Sequence, residues 1–386
     1  MKTNRFLVIV AAAALLMTSC SNKDDRMLTI INKDGTCSRE MTYHPDQEDV
    51  MAPLSETINV NGMIFSSGWE RSWSVVGDSV RHACPMTQQQ WDSLKSVFPD
   101  QSVIDNILMH TKQEYPLVSE MCDSLNRVAQ ELFKDTASLE KQFKWFYTDY
   151  VYKETLSIAV VEKAFSIPLD RFVSADTASY WFTGQPNLAA DLTGAEQKEL
   201  LDGIEGKISQ WFIACTMAHV CEIIANERYD EVKNPPVSKE QFIALKDSIV
   251  MSPAMGRLNL FDEPAQASKI LEEYFHSDAY TPLFSDSKIW DNRLDEKYKY
   301  YSFLVMMKPT LDYVMPGKVI DAGAGVIDGD VIHYKFSGEQ LIPHPYVVTI
   351  TSRVTNIWAF IVTFLIILLA VGSFFYHPLR LFRRRE

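Results

Sequence analysis

Residues 357–376, IWAFIVTFLIILLAVGSFFY, carry no charge, and that run constrains the chain more than any other feature. At ~1.5 Å of rise per residue, such a run matches a ~30 Å hydrocarbon core, so it predicts a single membrane-spanning helix. Arg380, Arg383, Arg384 and Arg385 follow closely, whereas only Arg353 lies near the other flank. Basic flanks stay cytoplasmic, so residues 377–386 read as a cytoplasmic tail and the preceding chain as exterior.

The other end predicts the same orientation. Lys2 and Arg5 precede the apolar run Phe6–Met17, and small residues then lead to Cys20, the layout of a secretory signal over 1–19. Met17-Thr18-Ser19-Cys20 resembles the bacterial lipoprotein box, which implies a lipid on Cys20, with residues 20–26 as its polar tether. Lipid and helix together would give two-point attachment. Lipidation permits sorting to an outer membrane, but withdrawing the helix would expose its apolar side chains to water. The expectation is a single-pass inner-membrane protein whose bulk faces the periplasm.

Between the anchors the chain is acidic. Removing Lys2, Arg5 and the four tail arginines from 37 basic residues, and Glu386 from 50 acidic ones, leaves about −18 for residues 21–356. That balance disfavours nucleic acid and favours cationic partners, although acidity is also a common means of staying soluble. After Cys20 come Cys37, Cys84, Cys122, Cys215 and Cys221, an odd set that leaves at least one free thiol in an oxidising compartment. Cys37 and Cys84 share the strand-rich N-terminal part and are the first pair to test. Cys215 and Cys221 would stand about 9 Å apart along a helix, beyond disulfide reach.

Local signals divide the segment. Residues 27–165 read as β-rich with some helices, 166–290 as a helical insertion and 291–356 as a C-terminal β part. Asp34-Gly35 and Asn61-Gly62 are hairpin turns, and Cys37, Arg39, Met41 and Tyr43 share one face of a return strand. Thr87/Gln90, Thr193/Glu196 and Ser238/Gln241 have capping-box spacing, and helices are expected near 87–97, 114–135, 194–229, 239–250 and 264–276. The aromatic stretch 143–153 reads as a strand covered on both faces, and 298–307 has similar composition. Tyr346, Val348 and Ile350 alternate on a strand leading to the membrane helix. The fold class expected is α+β: an antiparallel sheet built from both ends of the chain, a helical insertion, and one transmembrane helix.

Met315-Pro316-Gly317-Lys318-Val319 and Gly325-Val326-Ile327-Asp328-Gly329-Asp330-Val331-Ile332-His333-Tyr334 resemble the Pro-Gly, Gly, Gly and aromatic rhythm of LppM-like lipoprotein domains. The resemblance covers roughly the first and last 60 residues of the exported part. It implies an envelope role with lipid association and transfers no catalytic residue.

His219, with Cys215 four residues before and Glu222 three after, could line one helix face as a metal cluster. Its apolar neighbours Ile208, Trp211 and Ile223 favour a core histidine. No G-x-S-x-G, H-E-x-x-H or P-loop is present, and the carboxylate pairs Asp24-Asp25, Asp149/Glu154 and Glu272-Glu273 have no distinguishing context. Trp69, Trp73 and the Trp145–Tyr152 aromatics fit packing better than a ligand groove. No catalytic, cofactor-binding or metal residue is expected. The expected role is a binding or scaffolding module that meets an envelope protein, with lipid handling as the alternative.

Overall fold

The strand β1 (Arg26–Ile31) turns through Gly35, at φ +100°, into β2 (Cys37–Tyr43), the hairpin that Asp34-Gly35 predicts. The computed structural model describes residues 25–60, 63–98, 102–129, 134–158, 165–257 and 264–382. The signal segment, Cys20, most of its tether, the Asn61-Gly62 turn and Arg383, Arg384 and Arg385 lie outside the described residues.

After the short helix α1 (Gln47–Met51) come β3 (Ile58–Val60), β4 (Met63–Phe65), β5 (Glu70–Val75), β6 (His82–Ala83), α2 (Gln88–Val97) and β7 (Ile107–Tyr115). Helix α3 (Val118–Ala129) then leads to β8 (Lys134–Phe143) and β9 (Tyr147–Ser157). From residue 165 to 306 every described element is helical: α4 (Ala175–Thr183), α5 (Gly194–Ile223), α6 (Lys239–Val250), α7 (Pro264–Phe275), α8 (Ser287–Met306) and short 3-10 and π turns. The chain closes with β10 (Thr310–Val314), β11 (Lys318–Asp321), β12 (Val326–Asp328), β13 (Val331–Lys335), β14 (Tyr346–Thr355) and α9 (Ile357–Phe382). The fold is α+β.

Two sheets pack face to face. The larger has the order β12-β13-β10-β1-β2-β7-β5-β6 and the smaller β11-β14-β9-β8. Met27, Met41, Ile107, Leu311 and Ile332 of the first sheet share one buried core with Tyr150, Tyr152, Leu156, Val348 and Ile350 of the second. Strand alternation explains the selection: Cys37, Arg39, Met41 and Tyr43 point inward together, as their shared parity requires.

Both ends of the chain meet where β1 pairs with β10, but this pair is parallel, whereas the sequence led to an antiparallel sheet. Parallel neighbours need a long connection, and the chain from β2 through the helical segment lies between these two. That segment has its own core around Trp211, Met217, Phe242, Leu271 and Trp290. It leaves the sandwich at Ser157 and returns at Thr310, whereas β14 runs the other way into α9. The eleven residues of β9 therefore separate that exit point from the start of α9 by roughly 33 Å.

Three segments differ from their expected form. The aromatic stretch is not one strand: β8 ends at Phe143, Lys144-Trp145-Phe146 forms a tip, and β9 begins at Tyr147. Residues 298–306 continue helix α8 instead of forming a strand; Tyr301 packs on Phe165 and Phe212 of the helical core. The expected helix 114–135 is described over 118–129; Tyr115 belongs to β7, Lys134 and Asp135 to β8, and 130–133 lie outside the described residues.

Candidate membrane junction and buried charge cluster

Only Asn356 separates β14 from α9, so the sheet continues almost directly into the apolar helix. Along residues 357–373 the described side chains are exposed apart from Ala359 and Thr363, with Leu369 at 74%. An isolated soluble fold rarely presents so large an apolar surface.

The β8–β9 tip lies against the first turns of this helix. Phe143 stacks on Trp358 at 6.4 Å between centroids, Trp145 meets Trp358 edge-on at 5.3 Å, and Phe146 meets Phe360 at 4.7 Å. Trp145 Nε1 donates to Thr363 Oγ1 at 2.8 Å. Asn356 ties tip to helix: its Nδ2 donates to Lys144 O at 2.9 Å and to Trp145 O at 3.3 Å, and its backbone N–H donates to Phe146 O at 2.9 Å. Thr148 Oγ1 donates to Asn356 Oδ1 at 3.2 Å, and Lys144 N closes the turn on Tyr147 O at 2.8 Å. One step further, Arg353 clasps Asp149 with two bonds of 2.6 and 2.9 Å and lies 3.6 Å from the Tyr147 ring centroid. The Arg353 hydrogen bonds hold the Asp149 carboxyl below the ordinary carboxylate range.

Deeper in the sandwich stands a charge cluster. Arg39 of β2 donates to Glu154 of β9 at 2.6 Å, to Asp135 of β8 at 2.8 Å and to Thr29 of β1 at 3.1 and 3.0 Å. Tyr152 and Tyr313 add hydroxyl bonds to Glu154 at 2.8 and 2.7 Å. The ionic side chains are fully buried. One cation faces two carboxyls, so the two titrate apart. Burial and the neighbouring Glu154 push Asp135 up to about 7. Burial also opposes ionisation of Glu154, but Arg39 and the hydroxyl bonds outweigh it and leave its pKa lowered. With no route to solvent, this cluster can join the sheets but cannot meet a substrate.

On the opposite face of the larger sheet, Ser74, His110 and Glu40 stand in Ser–His–carboxylate order. His110 Nε2 is 2.9 Å from Ser74 Oγ, and its Nδ1 is 3.1 Å from Thr42 Oγ1 and 3.7 Å from Glu40 Oε1. Glu40 is occupied by a two-bond pair with Arg81 at 2.8 and 2.7 Å. Burial would raise the Glu40 pKa, but His110 and Arg81 bring it down to about 2. Ser74 is 3% exposed and His110 7%, so the hydroxyl is not presented for attack; adjacent strands bring these side chains together as cross-strand neighbours. Nearby, Asp312 bridges Arg26 and His333, the latter through Nδ1 at 2.6 Å.

The residues singled out from sequence are dispersed. His219 is 1% exposed inside α5, and Glu222 pairs with Lys246 at 3.1 Å. Among the described residues no three His, Cys, Asp or Glu side chains converge as a metal site. Cys37, Cys84, Cys122, Cys215 and Cys221 are all free and buried, so the Cys37–Cys84 bond is not formed. Trp69 and Trp73 are core residues at 3% exposure. Asp149 and Glu154 differ in parity and lie on opposite faces of β9, while Glu272 and Glu273 are exposed on α7. A cavity of about 130 Å³ between α5 and α6 is lined by Cys221, Glu222, Phe242 and Lys246. It is smaller than ordinary ligand pockets.

Among the described residues, 194–231 meet the length and apolarity of a membrane span, but 72% of their most apolar window is buried inside the protein, whereas 357–373 form a shorter apolar helix. The sequence reading missed the Arg39 cluster, although an arginine sharing a strand face with Cys37, Met41 and Tyr43 was its signal. Comparison with known protein families, with curated proteins and with solved structures finds no match.

Proposed function

We propose that this chain is a single-pass inner-membrane protein, anchored by α9, whose sandwich and helical segment face the periplasm as a binding or scaffolding module. The observation that carries this reading is the exposed apolar surface of α9 directly after β14. The basic residues beyond it support a cytoplasmic tail. A lipid on Cys20 would add a second anchor.

The helical segment between β9 and β10 acts in this reading as an insertion held away from the bilayer, where it can meet another envelope protein. The LppM-like rhythm supports an envelope location and has a structural use. Pro316-Gly317 carries the chain from the larger sheet to the smaller, and Gly325 packs where a side chain would strike Ile332 and Tyr334. Binding through the surface is favoured over lipid storage, because Arg39, Tyr152 and Tyr313 fill the space between the sheets.

The test is membrane extraction with topology mapping. The full chain should resist alkaline carbonate, and protease added to spheroplasts should digest the sandwich but spare the tail. Release of the full chain by carbonate would overturn the anchor, and protection of the sandwich would overturn the orientation. In vivo crosslinking from α6 or α7 should then capture a defined envelope protein; its absence would count against scaffolding.

A further inference from the structure

The tip residues Phe143, Trp145 and Phe146 remain 59, 44 and 39% exposed although the sandwich core lies close by. Their positions follow the depth of α9. Counting a ~30 Å core back from Arg380 at ~1.5 Å per residue places the hydrocarbon boundary near Phe360. Phe146 packs on Phe360, Trp145 reaches Thr363 slightly deeper, and Phe143 and Trp145 flank Trp358 on the headgroup side. Aromatic rings concentrate at that level because they have an apolar body and, in tryptophan, a polar edge.

The carbonyls of the tip have a matching property. Non-helical chain at membrane depth is tolerated when its polar groups are satisfied internally. The carbonyls of Lys144, Trp145 and Phe146 accept from Asn356, and that of Tyr147 accepts from Lys144 N. Exposed Lys144 is placed to extend its ammonium toward headgroup phosphates.

From these observations we infer that the β8–β9 tip inserts into the periplasmic-side interface of the bilayer spanned by α9. It forms a second, non-helical membrane contact that fixes the sandwich against the lipid surface. The inference rests on the spanning reading of α9.

The two can be tested separately in the full chain, in native membranes, with benzoylphenylalanine replacing Trp145, Phe143, Ile361 or Leu54 one at a time. After irradiation, mass spectrometry should find a one-phospholipid adduct at 145 and at 361 and none at 54. Phe143 gives a second tip position if the Trp145 replacement folds poorly. An adduct at 361 with none at 145 or 143 would overturn tip insertion and leave the span intact. Loss of the adduct at 361 would overturn the span and the insertion with it.

Discussion

Arg39 and Glu154 meet at 2.6 Å, both fully buried, across 115 residues of sequence, and this contact joins β2 of one sheet to β9 of the other. Its formation places two charges where water cannot reach, so each depends on the other and on the surrounding hydroxyls.

Replacing Arg39 by Met should therefore cost roughly 3–5 kcal/mol, because it strands an ionised Glu154 in the core. The double variant Arg39→Met, Glu154→Gln should recover a substantial part of that loss. Denaturant midpoints measured in detergent for the two variants provide the comparison. Equal destabilisation of both would show that packing, not charge, governs the site.

Asp135 gives the cluster a pH dependence of defined sign. Its folded-state pKa of about 7 exceeds the ordinary aspartate value of 3.8, so the folded protein holds more protons than the unfolded chain between those limits. Its contribution is present at low pH and is lost as pH rises from about 4 through 7, with a slope of at most ~1.4 kcal/mol per unit for one proton. Glu154, with its lowered pKa, acts oppositely and loses its contribution as pH falls through the folded value. Asp135→Asn should remove the decline above pH 4, as read from unfolding midpoints at pH 5, 6, 7 and 8.

Gly317 and Gly77 have nearly the same backbone angle, φ +81° and +82°, but different surroundings. A side chain on Gly317 would strike the Arg353 carbonyl, whereas Gly77 has open space around it. Gly77→Ala should cost about 1 kcal/mol for the left-handed conformation alone. Gly317→Ala should cost more, and thermal unfolding of the pair separates clash from strain.

The thiols should be inert while the protein is folded. Burial pushes Cys37 and Cys84 up to about 11 and Cys215 and Cys221 up to about 12, and raises Cys122 as well. Alkylation at pH 8 should leave these five unmodified until denaturant is added, as peptide mass spectrometry can follow. Rapid labelling of any one in the native protein would contradict its burial.

Ser74 should likewise fail to react. Despite its 2.9 Å approach to His110, its oxygen lies within the sheet at 3% residue exposure, so a fluorophosphonate probe should leave no adduct. Stoichiometric labelling lost in Ser74→Ala would reveal a nucleophile and displace a purely binding role.

Elements whose instructions are local were legible in the residues. Thr193 and Glu196 cap α5 by reciprocal bonds, Ser238 and Gln241 do the same for α6, and Gly35 turns β1 into β2, each within a few positions of chain. The twenty uncharged residues before the terminal arginines were enough to define α9 as an apolar helix. Residues 147–153 form the strand expected of the aromatic stretch, but the break at 144–146 was missed because aromatic composition suits strand and tip equally. Asn356, two hundred residues away, helps set the break at Lys144.

Partner choice belonged to the tertiary structure. Periodicity placed Arg39 on an inward face, but only the meeting of β2 with β8 and β9 supplied the two carboxyls that let it remain there. Only the return of β10 beside β1 made the larger sheet partly parallel. Periodicity, caps and apolar length arise from neighbouring residues along the chain. Burying a charge or choosing a strand partner depends on free-energy differences between distant segments, which arise when the two sheets close over each other and exclude water.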